Sequence, residues 1–464
     1  MESTTAGPDA GSRAADPPDA ASVVRERSYR SLLVLAAIVG VVVSLAAWCF
    51  LEGLHYVQVW VYKDLPGELG FSSVPTWWPI PVLALAGVVI AFAIARLPGH
   101  GGHEPSEGLK SGPPTQPIEL PGVMLAAFAT IGLGLVLGPE APLIALGSGL
   151  GILAVTLARK DAPNQAFAVM AAAGSFAAIA SLFGSPIIGA IIIIEAAGLG
   201  GPMLPLVLLP GLLAAGIGSL VFVGMGTVTG LSTAAYAITP LSLPSYPRPT
   251  LAAFGWTILL AIAAALVAFG IMSLGRAVKR LVRERPFLVV PIAAVVVAGL
   301  AIAFFEITGE PVDLVLFSGQ DGMGPVVQQA ATLSLGTLAI LIAFKGLAWG
   351  VSLGAGRGGP TFPAIFLGIV GGLLAGHLPG FAETPAIAVL IGVACVSVLR
   401  LPLSSVVITL VVAQAGIGPT PLVIVGVVIA YLVTVGLSAR LASADARPAA
   451  VAQGAGPVDT TQPA

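Results

Sequence analysis

Glu140 stands in the string Gly138-Pro139-Glu140-Ala141-Pro142, at the head of an apolar stretch, and a second knot, Gly358-Gly359-Pro360-Thr361-Phe362-Pro363, opens another. Both read as helix starts, because proline suits the first helical turn and glycine lets the backbone approach a ligand. A helix that starts inside a membrane points unpaired N–H groups at whatever lies there, and its dipole makes that end favourable for an anion. Interrupted helices in corresponding halves of a chain mark ion sites in transporter-like folds. The chemistry implied is the holding of a small anion by backbone dipoles, with no bond made or broken. The Glu140 carboxylate can take the same positive end: ionised it competes with the anion, protonated it withdraws, so it reads as a gate and a proton carrier. The plainer reading is a carboxylate capping the first helical turn.

Other ionisable groups in apolar surroundings are few, and a charge there defaults to a functional hypothesis. Glu195, after Ile191-Ile192-Ile193-Ile194, either lies on the pathway as a proton site or emerges at the surface. Lys345 and Arg400 read as side chains that snorkel or pair with carbonyls. His55, His100, His103 and His377 have no metal-ligand spacing and read as loop or boundary residues, so no metal and no cofactor is expected. No histidine lies in an apolar run to partner Gly147-Ser148-Gly149, which argues against a hydrolase and against an enzyme altogether. Cys49 and Cys395 lie far apart in apolar runs and read as buried small hydrophobes.

The elements that must position these residues are apolar. Of 464 residues, 57% are hydrophobic and 9% charged, and the mean hydropathy is +1.00, where soluble domains carry roughly 25% charged residues. This is an all-α integral membrane protein, and the net charge of −2 gives no sign of a nucleic-acid partner. With 58 glycines and 38 prolines, many helices should be short, tilted or re-entrant. Against the roughly 20 residues of a full span, apolar segments fall near 31–53, 79–97, 118–137, 142–158, 164–181, 186–198, 203–224, 251–275, 287–307, 332–353, 361–376, 384–398, 402–414 and 419–441. Residues 1–28 and 443–464 read as disordered tails around a transport domain at 29–442. Basic clusters at Arg25, Arg27 and Arg30, at Arg276, Lys279, Arg280, Arg283 and Arg285, and at Arg440 and Arg447 place both termini in the cytoplasm by the positive-inside bias. The order knot, apolar helix, second helix, Pro-started helix occurs twice, at Pro142 to Pro186 and at Pro363 to Pro402, which suggests inverted repeats at about 79–225 and 251–441.

These residues resemble the CLC family of chloride channels and chloride/proton antiporters. Gly138-Pro139-Glu140-Ala141-Pro142 is similar to the family's GREGP signature, and Phe183-Gly184-Ser185-Pro186 running to Glu195 to its FNAPLAG…E segment. Residues 355–363 stand where the family has its GxFxP anion-binding loop, Leu399-Arg400-Leu401-Pro402-Leu403 resembles its RAPL segment, and Gly101-Gly102-His103-Glu104-Pro105 occupies the place of GSGIP. The resemblance covers about 95–415. It implies a homodimer in the cell membrane with one pathway for chloride or a similar anion in each subunit, with protons as the second partner in an antiporter, and Glu140 as the gating glutamate. The anion-binding positions it implies are Gly138, Glu140, Ala141, Gly102, Gly358, Gly359, Thr361 and Phe362, with Glu195 as a possible proton path.

The departures from that pattern carry their own expectations. Gly102 replaces a serine whose hydroxyl would face the anion, Pro139 replaces an arginine, and Pro360 has no N–H to lend. Ala196 stands where antiporters carry an inward-side glutamate, no tyrosine matches the one supplied by the family's last helix, and no nucleotide-binding regulatory tail fits after residue 441. A site with fewer hydroxyls should bind chloride weakly and separate chloride, bromide and nitrate poorly. A proton- or sodium-coupled carrier of a small organic solute on another inverted-repeat fold is the alternative.

Overall fold

The computed structural model describes residues 27–109, 112–200, 203–231 and 240–454. Most of the expected N-terminal tail, and residues 455–464 of the C-terminal one, lie outside these residues.

Apolar runs with no water to satisfy their backbone groups must bond within themselves, which makes them helices. In chain order these are α1 (Arg27–Val59), α2 (Pro79–Arg96), α3 (Leu120–Ala127), α4 (Glu140–Ala158), α5 (Asn164–Phe183), α6 (Pro186–Ala196), α7 (Met203–Thr229), α8 (Leu251–Glu284), α9 (Pro286–Thr308), α10 (Leu335–Ala355), α11 (Thr361–Ala375), α12 (Glu383–Leu399), α13 (Pro402–Ala413) and α14 (Thr420–Gly454). Their ends follow the local sequence. Pro79, Pro186, Pro286 and Pro402 open helices, Thr250 and Ser334 cap α8 and α10 through their hydroxyls, and Gly184 and Gly309 close α5 and α9 with φ of 63° and 74°.

Among the described residues, nine helices are long and apolar enough to cross a membrane, and five shorter apolar ones are not, α6, α11, α12 and α13 among them. The 15 residues of α11 reach only about 22 Å, short of the roughly 30 Å hydrocarbon core. One end of such a helix must stay inside the protein.

Two matching packs hold the centre. α4 lies on α5 and α11 on α12, each in close contact through glycines at equivalent offsets from the helix start: Gly147 and Gly151 against the backbone of α5, Gly368 and Gly372 against Leu390, Ile391 and Ile387 of α12. α5 continues into α6 and α12 into α13, and α6 meets α13. Outward faces carry exposed apolar side chains such as Leu157, Leu220 and Val228, as lipid contact requires.

Two expectations change here. Cys395 is buried but Cys49 is exposed on α1, because an apolar residue has no need to face inward when the solvent is lipid. Helix α14 runs on to Gly454, through residues 443–454 of the stretch read as a disordered tail. That stretch is alanine-rich, and alanine is the strongest helix former.

Candidate functional site

The first turns of α4 and α11 meet head to head in the protein interior. Gly138 and Gly359 form an antiparallel bridge, each N–H donating to the other's carbonyl at 2.7 and 2.6 Å. The chain on either side is irregular, which a membrane protein tolerates only where other parts of the protein satisfy it. Tyr62 donates to the Leu133 carbonyl at 2.8 Å, the Val136 N–H donates to Ser352 Oγ at 3.1 Å, and the Arg357 N–H to Thr130 Oγ1 at 3.0 Å.

This bridge sets Glu140 against the start of α11. Its carboxylate is fully buried, and Oε1 accepts a hydrogen bond from the Phe362 N–H at 3.0 Å. Oε2 lies so close to Gly138 and Gly359 that a Cβ on either would run into it. The Thr361 hydroxyl faces the same carboxylate without reaching hydrogen-bond geometry, and both Thr361 Oγ1 and Glu140 Oε2 are buried without a hydrogen-bond partner. The Glu140 carboxylate thus sits on a helix N-terminus, an end that favours negative charge, beside an unspent hydroxyl.

The structure therefore brings Gly138, Glu140, Ala141, Gly358, Gly359, Thr361 and Phe362 together, but not as equal donors. The N–H groups of Gly138 and Gly359 are spent on each other, which corrects the expectation that both face an anion. Those of Ala141 and Gly358 make no backbone hydrogen bond among the described residues. Gly102 stands apart: its N–H donates to Gly99 at 2.8 Å, and its Cα faces Val123. The two central residues of that turn, His100 and Gly101, have φ of 49° and 77°, which brings the Gly102 N–H back onto its own loop.

Glu195 is elsewhere, at the end of α6, and accepts from the Leu403 N–H at 2.9 Å, the Ser404 N–H at 2.7 Å and the Ser404 hydroxyl at 2.6 Å. It caps α13 as Glu140 caps α11. The open choice between pathway and surface has a third answer, a helix cap between the two halves of the chain. Lys345 pairs with carbonyls as expected: fully buried, it donates to Leu314, Val315, Leu316 and Phe317 and lies 4.5 Å over the Phe366 ring. Arg400 donates to Ser438 Oγ at 2.8 Å.

Sequence reasoning passed over Arg357, which precedes the second knot and is 5% exposed. Its signal was plain: it is the one charged residue in the run from 355 to 363.

A family model described as "Voltage gated chloride channel" matches residues 88–435, most of the chain. The chain belongs to the voltage-gated chloride channel family. Membership makes it a membrane protein of anion transport, channel or antiporter, and disfavours an organic-solute carrier of another fold. The "Putative ion-transport protein YfeO" of Escherichia coli O1:K1 is 28% identical over 375 residues, 80% of this chain and 84% of that protein, and the protein of the same name from Shigella boydii serotype 4 matches equally. Among solved structures, a slow cyanobacterial Cl−/H+ antiporter superposes with a TM-score of 0.69 at 18% identity, covering 88% of this chain and 94% of that one. A CLC-type fluoride/proton antiporter gives 0.66 at 17%, covering 87% and 95%.

Proposed function

We propose that this chain exchanges a small anion, chloride or one like it, for protons, with the Glu140 carboxylate and the anion taking turns at the Phe362 N–H. The observation that carries this reading is the fully buried carboxylate on the N-terminus of α11, enclosed by Gly138 and Gly359. Ala141, Gly358 and Thr361 add donors around the seat once it is vacated. An ionised carboxylate cannot leave such a seat through apolar surroundings at acceptable cost, so its departure takes up a proton. Passive conduction is the second reading. The bonding of Glu195 to α13 favours it, since that carboxylate is then committed to a cap rather than to a relay.

Two copies would sit in the cell membrane, each with its own pathway through the halves at about 79–225 and 251–441. The exposed Ile187 on α6 and Leu403 on α13 support contact on that face. The basic end of α8 and the start of α1 would face the cytoplasm, with both termini there.

Purified protein in liposomes, with anion efflux and internal pH followed together, tests the proposal. Coupled proton movement in the wild type, abolished in Glu140→Gln while anion flux persists, is the expected result. Anion flux without a pH change in the wild type means a channel. No anion flux from either protein returns the proton- or sodium-coupled carrier.

A further inference from the structure

A groove of about 410 Å³ runs between α1 and α4, and every residue that lines it is leucine, isoleucine, valine or alanine. Leu35, Val39 and Val43 form one wall, and Leu150, Ala154 and Leu157 the other. It opens outward: Ile38 on its rim is 53% exposed and Leu157 78%. Such a face meets lipid, where apolar side chains gain nothing by closing over one another.

One end of the groove is basic. The later part of α1 touches the segment just ahead of α4, with the Phe50 ring 5.0 Å from that of Phe128 and the Gln58 amide donating to the Ile131 carbonyl at 3.0 Å. The two helices therefore run in opposite directions, and the start of α1 lies with the end of α4. Arg27 and Arg30 stand at that start, and Arg159 and Lys160 directly after that end, all of them exposed. Within residues 27–34 and 158–165 the one carboxylate is Asp161. From Leu35 to Val43 the groove follows α1 for about 12 Å, close to half of a roughly 30 Å hydrocarbon core.

We propose that this groove is a site for one anionic phospholipid, with an acyl chain lying between α1 and α4 and the phosphate held by Arg27, Arg30, Arg159 and Lys160. Charge selects the headgroup: a lipid of net negative charge such as phosphatidylglycerol gains from each cation near the membrane surface, and a zwitterionic one gains far less. Depth selects the chain. A groove one leaflet deep fits the tail of a lipid from the leaflet at the basic end, whereas a partner's spanning helix would need one about twice as long. Because α4 begins at Glu140, the lipid lies along the helix that carries that carboxylate. The site stands whether or not the chain couples anions to protons.

Native mass spectrometry of the full chain in detergent, titrated with phosphatidylglycerol or with phosphatidylcholine of the same acyl chains, tests this. One phosphatidylglycerol per chain should stay bound where phosphatidylcholine is stripped away, and its affinity should fall about fivefold for each cation removed by Arg27→Gln, Arg30→Gln, Arg159→Gln and Lys160→Gln. Ala154→Phe fills the groove and should release the lipid with the cations still in place. The four cations are exposed, so their variants stay informative if Ala154→Phe does not fold. Equal retention of the two lipids overturns the proposal, as does a preference for phosphatidylglycerol that survives all four charge substitutions together. Unchanged retention in a folded Ala154→Phe means that the headgroup binds without the groove, which overturns it as well. A dimer that dissociates in Ala154→Phe while the lipid stays bound assigns the groove to a second copy of the chain and overturns the inference.

Discussion

The Glu140 carboxylate accepts a hydrogen bond from the Phe362 N–H at 3.0 Å, across 222 residues of sequence. The bond ties the first turn of one helix to the first turn of another, so that a residue of α4 occupies the positive end of α11. Glu195 repeats the arrangement at the far end of the same half, bonding the first turn of α13. Both of these carboxylates belong to the first half and sit on helix starts of the second.

Gly359→Ala would set a Cβ onto Glu140 Oε2 and within 2.5 Å of its Cδ. The carboxylate is the mobile partner and must swing out of its seat. Anion flux in liposomes should rise several-fold and proton coupling should fall, as for Glu140→Gln. A variant that transports and couples like the wild type would show that Glu140 does not block the pathway.

Thr361→Val removes a buried hydroxyl that has no hydrogen-bond partner. Thermal unfolding in detergent should show stability unchanged or raised by about 1 kcal/mol, while anion affinity falls about threefold for want of that donor. Unchanged affinity would exclude Thr361 from the anion's contacts.

Lys345→Met keeps the bulk but leaves four carbonyls, at Leu314, Val315, Leu316 and Phe317, without their cation. The expected loss is about 2–4 kcal/mol, read from the shift of the unfolding midpoint. A loss below about 1 kcal/mol would mean that the carbonyls find other partners.

Glu195→Ala removes the cap of α13 and should cost about 1–2 kcal/mol, with Glu195→Gln milder because the amide oxygen still accepts. If Glu195 is only a cap, proton coupling in Glu195→Gln equals that of the wild type. Coupling lost in a well-folded Glu195→Gln would make it a proton site.

Burial raises the Glu104 carboxyl's pKa, but hydrogen bonds from Lys279 and Arg283 outweigh that and hold it below the ordinary carboxylate range. A lowered folded value means that the ion pairs contribute fully above the unfolded pKa, about 4.3, and are lost as pH falls through the folded one. The difference in unfolding midpoint between wild type and Glu104→Gln should be constant above about pH 5 and shrink below it. A difference that grows on acidification contradicts these pairings.

Much of this was legible along the chain. Pro186 and Pro402 opened the helices they were expected to open, and the glycines after each knot, Gly147 and Gly368 among them, lie where two helices touch. Such signals are local: a proline's missing N–H and a glycine's missing side chain act on their own turn of backbone wherever it folds. Glu140 stood out because few charges share its surroundings. What stayed hidden was pairing. That Gly138 and Gly359 would spend their N–H groups on each other, that Glu195 would cap α13, and that Arg357 would meet Lys279 and Arg283 at one cavity are facts about segments far apart in sequence.

By itself, then, the sequence determined that the chain is helical, lives in lipid and starts two helices around Glu140 and Thr361, because hydropathy and backbone restrictions are properties of each short stretch. Only the tertiary structure decided which N–H groups remain to meet a ligand. A donor's availability depends on whether another part of the chain reaches it first, and Gly138 reached Gly359 before any anion could.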